Sequence, residues 1–220
     1  MTRPKNWDRL RDDMVGRQLR RRGIRDQRVL EVMRRVPRHL FVPESFRDYA
    51  YDDEPLPIGS GQTISQPYMV AAMAEALHLR GPERVLEVGS GCGYGAAVLA
   101  ELAAEVWTIE CLPDLVALAR RHLTAAGYTR VHVVRGDGSL GYPQAAPFQA
   151  ISVAAGAPDV PHHLLDQLDA EDGRLVIPVG TLEDQELRLV RRVAGRVETK
   201  VAGFCRFVPL KGAQAWKIES

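Results

Sequence analysis

The densest chemical signal in the chain is Glu87-Val88-Gly89-Ser90-Gly91-Cys92-Gly93-Tyr94-Gly95. A short apolar run, Val85–Val88, leads into it, and the residues from Ala96 to Ala104 read as a helix. Glycines between a strand and a helix let a ligand approach the backbone, and the helix N-terminus offers free N–H groups. Glu110 stands 21 residues past Gly89, at the end of a second apolar run, Val106–Ile109. A carboxylate there can accept both ribose hydroxyls of an adenosine. Gly136-Asp137-Gly138 follows a third run, Val131–Val134. Asp-Gly after a strand is a routine turn signal. Beside a cofactor crevice, however, the Asp137 carboxylate can accept from an adenine amino group.

Two cofactor classes fit this constellation. The nicotinamide fingerprint GxGxxG/A can be placed on Gly91, Gly93 and Ala96, but it starts two residues late and leaves Gly89 unexplained. The GxGxG register from Gly89 follows the strand directly and is the commoner pattern for S-adenosyl-L-methionine. Glu87, a carboxylate inside the first strand, suits the amino group of that cofactor. Cys92 reads as a small loop residue and not as a nucleophile.

The elements that must hold these residues alternate. After a helix from Pro67 to about Leu79, strands at 85–88, 106–109, 131–134, 150–154 and 175–179 are separated by helices, including one opened by Pro113 and closed by Gly127. Strands separated by helices imply βαβ units and a parallel sheet. Two more alternating segments, 187–193 and 199–208, joined near Gly195, read as an antiparallel pair. The expected fold is α/β: a doubly wound, mostly parallel, seven-stranded sheet with an N-terminal helical extension. Residues 7–36 form that extension, interrupted at Gly23. Residues 43–63 read as a long structured loop, the kind that is usually functional. The expected division is residues 1–66, helices and substrate-side loop, and residues 67–220, the cofactor domain, within one compact unit.

Composition narrows the class. Of 220 residues, 45% are hydrophobic and 26% charged, which argues against disorder. No apolar stretch reaches the ~18 residues needed to cross a bilayer. No apolar h-region follows the first charged residues, so a cytoplasmic, non-membrane protein is expected. Cys92, Cys111 and Cys205 are widely spaced and form no CxxC pair, so neither a disulfide framework nor a zinc ribbon is expected. His162 and His163 are adjacent and lack ligand partners at helical spacing, so no metal is expected. Residues 1–40 carry a net charge of +8 against −7 in the remainder. That asymmetry fits a helical Arg face docked on an acidic body better than a nucleic-acid arm.

The segment Leu56-Pro57-Ile58-Gly59-Ser60-Gly61-Gln62-Thr63-Ile64-Ser65-Gln66-Pro67 resembles that of the protein-L-isoaspartate (D-aspartate) O-methyltransferases. Further matches are Val36-Pro37-Arg38 with Phe41-Val42-Pro43, Glu87 to Tyr94, Gly136-Asp137-Gly138, Ala146-Pro147-Phe148, Gln167-Leu168, Gly173-Arg174-Leu175-Val176 and Phe207-Val208-Pro209-Leu210. They fall in the family's order over roughly residues 14–212. The resemblance implies the Rossmann-like fold of class I methyltransferases. It also implies methylation, from S-adenosyl-L-methionine, of the α-carboxyl of L-isoaspartyl and D-aspartyl residues in damaged proteins and peptides. The ester then collapses to a succinimide, which starts repair. Damaged polypeptides are then the partners of a monomeric enzyme.

By the same resemblance Ser65 is the catalytic residue. Gln62, Thr63, Ile64, Glu87, Gly89, Ser90, Gly91, Gly93, Glu110, Cys111, Gly136 and Asp137 are the cofactor-binding set. Three departures stand out: Gln149 where an Asp is usual, the reordered run Ala154-Ala155-Gly156-Ala157-Pro158, and Cys92 where Ser is common.

An α-carboxylate is ionised near neutral pH, its reference pKa being about 3.5 to 4. The chemistry therefore needs placement, not a strong base: an oxygen ~3 Å from the methyl carbon and in line with sulfur. Ser65 suits orientation of one carboxylate oxygen, or else an N-cap ahead of Pro67. Competing readings are a methyltransferase for RNA or a small molecule, a nicotinamide-dependent reductase, and a cofactor-binding domain without turnover.

Overall fold

The computed structural model describes residues 6–193 and 195–216. Its helices are α1 (Trp7–Asp13), α2 (Gln27–Arg35), α3 (Pro67–Ala76), α4 (Tyr94–Ala100), α5 (Pro113–Ala125) and α6 (His162–Asp166). Its strands are β1 (Leu56–Gly59), β2 (Gln62–Ile64), β3 (Arg84–Val88), β4 (Glu105–Glu110), β5 (Val131–Arg135), β6 (Ala150–Val153), β7 (Arg174–Gly180), β8 (Gln185–Val193) and β9 (Arg196–Cys205). Seven strands make one sheet in the order β5-β4-β3-β6-β7-β8-β9. The first five are parallel, and β8 and β9 run antiparallel, as the alternating segments predict. The strand order reverses beside β3, which opens a crevice at the carboxyl ends of β3 and β6.

Alternation along each strand gives two cores. Val85, Val106, Ala150 and Val176 face the N-terminal helices and α3, α4 and α5. Leu86, Val88, Trp107, Ile109, Ile151 and Val153 face α6 and the turns around Ala145. Because successive strand side chains point to opposite faces, Glu87 and Thr108 lie on the first face, among apolar neighbours. Both are buried.

The N-terminal segment is held by its arginines. Asp26 caps α2, accepting from the backbone N–H of Arg28 and Val29. Arg28 donates to the carbonyls of Leu79 and Leu102, and Arg35 pairs with Glu101 at 3.2 Å. The Glu75 carboxylate accepts from the backbone N–H groups of Arg25 and Asp26. The basic face is thus docked on the body.

Several elements differ from the expectation. The first helix passes into a π-helical stretch, Met14–Leu19, before Gly23 turns the chain. Residues 43–63 are not irregular throughout: they contain a 3₁₀ turn, Glu44–Tyr49, and the β1–β2 hairpin. Strands of four and three residues are too short to announce a period. Only Leu56, Ile58 and Ile64 turn inward. Helix α3 stops at Ala76, α4 spans Tyr94–Ala100 and α6 ends at Asp166.

Candidate active site

A cleft lies over the carboxyl ends of β3, β4 and β6. The glycine loop floors it, the β2–α3 junction Gln62–Ser65 forms one wall, and residues Val208–Lys211 form another. Gly89, Gly91 and Gly93 all have positive φ, at 94°, 52° and 90°. This left-handed geometry is why glycines occupy the turn. A side chain on Gly91 would press on Ile58 Cδ1 at 3.2 Å, so the β1–β2 hairpin is packed against the loop. Gly93 instead backs onto α5, where a Cβ would meet Leu123 at 3.1 Å, and it does not line the cleft.

Glu87 is the carboxyl at the cleft floor. Thr108 Oγ1 lies 2.5 Å from Glu87 Oε2 and 2.7 Å from Ser90 Oγ. The opposite oxygen sits against Gly95, where any Cβ would overlap Glu87 Oε1. Burial pushes the Glu87 carboxyl up to about 8; the Thr108 hydrogen bond opposes this and the nearby Glu110 charge adds to it. Such a group takes up a charge when a cation arrives.

Glu110 is fixed differently. Its Oε2 accepts from Gly91 N–H at 3.0 Å, and its Oε1 accepts from the N–H groups of Cys111 and Leu112 at 2.9 and 3.1 Å. The carboxylate therefore ties the glycine loop to the start of α5 while lining the cleft.

Ser65 lines the cleft and is half-buried. The capping role fails, because the N-cap of α3 is Gln66, which makes no side-chain cap bond. Among the described residues no hydrogen-bond partner engages the Ser65 hydroxyl. Gln62, Thr63 and Ile64 line the same wall.

Gly136 and Asp137 lie outside this cleft, in an adjoining pocket with Cys111, Arg135, Lys211 and Gly212. Asp137 Oδ1 accepts from the N–H and hydroxyl of Ser139, and its Oδ2 accepts from Ala213 N–H at 2.7 Å. It therefore fastens the C-terminal segment beside the cleft. Cys111 belongs to both pockets; burial, then the Glu110 charge, pushes its thiol up. Among the described residues no group of three His, Cys, Asp or Glu is placed to hold a metal ion, and no helix is long and apolar enough to cross a membrane.

The profile of the family described as protein-L-isoaspartate(D-aspartate) O-methyltransferase matches residues 10–215. The chain belongs to this family. It is 55% identical over 212 residues to the protein-L-isoaspartate O-methyltransferase of Methanoculleus marisnigri, covering 96% of each chain. It is 57% identical over 209 residues to protein-L-isoaspartate O-methyltransferase 2 of Marinobacter nauticus, covering 94% of this chain and 95% of that one. The structure also superposes on a Plasmodium falciparum protein-L-isoaspartate O-methyltransferase in complex with S-adenosyl-L-homocysteine. There the TM-score is 0.79 and identity 26%, with 94% of this chain and 99% of that chain covered.

For an isoaspartate methyltransferase the three departures now have places. Gln149 accepts from Arg84 N–H at 2.9 Å and reaches Asp169, away from the cleft. Ala154 and Ala155 line the cleft directly. Cys92 also lines it, with its thiol pushed by burial up to about 11, far from a thiolate. Three contributions escaped the sequence reading: Ser152, next to Glu87 in the β3–β6 register; the α3 face Val70, Met73 and Ala74; and the 208–211 wall. The last has a signal in Phe207-Val208-Pro209-Leu210, a matched motif to which no role was attached. The others sit inside ordinary strand and helix patterns.

Proposed function

We propose that the cleft holds S-adenosyl-L-methionine across its floor and presents the α-carboxylate of an isoaspartyl residue at the Ser65 wall. The reaction is that of the family: S-adenosyl-L-methionine-dependent O-methylation of isoaspartyl residues in damaged proteins. The observation that carries the assignment of residues is the convergence of the glycine loop, Glu87, Glu110 and the Ser65 wall on one cleft.

The residues present fit the cofactor. Glu87 offers a buried carboxyl to an ammonium, and Glu110 offers a carboxylate of fixed direction to a ribose diol. Gly89 and Gly91, both at positive φ, admit the ligand to the backbone. Bound there, the cofactor supplies an electrophilic methyl group on a sulfonium. The chain's own residues then work by placement. The Ser65 hydroxyl, free of internal partners among the described residues, donates to one acceptor oxygen and leaves the other directed into the cleft. The apolar lining from Val70, Met73, Val98 and Leu115 keeps water out. Gly136 and Asp137 act one step removed, holding the C-terminal wall that closes the adenosine end. Residues 1–66 act as the substrate-side unit, and residues 67–220 as the cofactor domain, in a cytoplasmic monomer that needs no nucleic acid. D-aspartyl residues are the second acceptor class.

The test is transfer of labelled methyl from S-adenosyl-L-methionine to a synthetic isoaspartyl peptide, with the matched aspartyl peptide as control. Label confined to the first is the expected result; equal label on both, or on neither, contradicts the reading. In the same assay Ser65→Ala lowers kcat at least ~30-fold and leaves Tm within ~2 °C, because the side chain caps no helix. A variant with full turnover and a lowered Tm assigns Ser65 a structural role.

A further inference from the structure

We propose that Thr108 is a positioning residue for the methyl donor, its hydroxyl joining Glu87 to Ser90 so that the Glu87 carboxyl is presented to the donor's ammonium group in one direction. The inference rests on the cleft holding S-adenosyl-L-methionine. It deepens that reading by naming a residue that lies behind the site and does not line it.

Thr108 and Glu87 are register partners on neighbouring parallel strands, β4 and β3, and point to the same face of the sheet. Around them that face contributes Val85, Val106 and Ala150, and one uncharged polar residue, Ser152, beside Glu87 on β6. Thr108 is fully buried, and its hydroxyl oxygen lies between two others, Glu87 Oε2 at 2.5 Å and Ser90 Oγ at 2.7 Å, with a single hydrogen to donate. The donors can be shared in only one way when Glu87 is ionised. Thr108 donates to Glu87, and Ser90 donates to Thr108. The line Ser90–Thr108–Glu87 then polarises in one sense and stabilises the carboxylate. With Glu87 protonated, the direction reverses.

Among the described residues, this hydroxyl makes the one hydrogen bond to the Glu87 carboxyl. Glu110, on β4, adds negative charge, and Cys92, in the glycine loop, is a buried neutral thiol. Tyr94, on α4, is a buried phenol whose pKa burial raises, and Ser152, on β6, is uncharged. The α3 residues lining the cleft are apolar. Removing the Thr108 donor therefore raises the proton affinity of Glu87 further and frees the carboxyl to rotate away from the cleft.

The experiment is calorimetry of S-adenosyl-L-homocysteine binding by the full chain from pH 6 to pH 8.5, repeated in buffers of different ionisation enthalpy to count protons released. Thr108→Val is isosteric and lacks the hydroxyl. It is expected to weaken binding ~10-fold at pH 7 and about 3-fold at pH 8.5, and to release more protons near pH 8 than the parent. The ligand is the same for both proteins, so its own titration cancels in the ratio. Thr108→Ser restores parental behaviour, and Ser90→Ala moves binding in the same direction by ~3-fold; that variant stands in if Thr108→Val does not fold. Equal affinity at pH 7, or a loss identical at every pH that Thr108→Ser fails to rescue, overturns the proposal and leaves the cleft assignment standing. Absence of binding by the parent protein overturns the cleft assignment itself.

Discussion

Two carboxyl groups line one cleft and are supported in opposite ways. Glu110 accepts three backbone N–H bonds and cannot turn without breaking the join between the glycine loop and α5. Glu87 lies in a mostly apolar layer and, among the described residues, is hydrogen-bonded by one hydroxyl, and burial lifts it to about 8. The first is part of the scaffold whether or not a ligand is present. On the proposed reading the second responds to its ligand, because an incoming ammonium favours the charged form that burial disfavours. One cleft thus carries a rigid end suited to a neutral diol and a responsive end suited to a cation.

The contrast can be broken most forcefully at Gly95. A Cβ there overlaps Glu87 Oε1, so Gly95→Ala expels the carboxyl from its place. Cofactor affinity is expected to fall ~100-fold, with a stability cost of about 1–3 kcal/mol for overpacking. Calorimetry with S-adenosyl-L-homocysteine and thermal unfolding check both figures. Affinity within threefold of the parent removes Glu87 from the ammonium end.

Glu110→Ala acts on the rigid end. It leaves three N–H groups without their acceptor, and ~1–3 kcal/mol of cofactor affinity is expected to go with them. Stability should fall as well, because the loop loses its tie to α5. Unchanged affinity in titration would take Glu110 out of the site.

Glu87→Gln sharpens the responsive end through pH. The folded Glu87 pKa stands at about 8 against an ordinary 4.5. The native state therefore holds a proton that the unfolded chain has released between those values, and the native protein loses stability as pH rises from about 4.5 to about 8. A glutamine does not titrate. The Tm of Glu87→Gln relative to the parent is expected to climb across that window and level off above it. Parallel Tm curves would show that Glu87 is already charged in the folded protein.

The smallest effect is expected at Asp137. Asp137→Asn keeps one acceptor oxygen and can retain part of the hold on Ser139 or Ala213. A loss of only a few-fold in cofactor affinity, seen mainly as a faster off-rate in stopped flow, fits a residue that fastens a wall. A loss as large as that of Glu110→Ala would place Asp137 in direct contact with the ligand.

The extent of what the sequence discloses follows from the kind of signal each element leaves. The parallel strands are legible because buried strands read as continuous apolar runs such as Val85–Val88. Glu110 is legible because the adenosine crevice sets a fixed spacing from Gly89. The β1–β2 hairpin is not, since three or four residues show no period, and its inward side chains are scattered among prolines and glycines. Thr108 is hidden for another reason. A threonine within Glu105-Val106-Trp107-Thr108-Ile109-Glu110 is ordinary strand composition, and its hydroxyl gains meaning only when β3 brings Glu87 alongside. Asp137 shows the reverse: its Asp-Gly context suggests both a turn and a ligand, and the fold uses the carboxylate to cap a turn and hold Ala213. Ser65 sits one residue too early to cap α3, a boundary that sequence reading places only to within a few residues.

The most direct measurement is a crystal structure of the protein with S-adenosyl-L-homocysteine and an isoaspartyl peptide bound together. The account predicts the ligand's amino group on Glu87, its ribose hydroxyls on Glu110 and the peptide's free α-carboxylate beside Ser65, each within hydrogen-bonding distance of about 3 Å. Either ligand seated elsewhere, or the nucleoside turned so that the ribose faces Glu87, would contradict it.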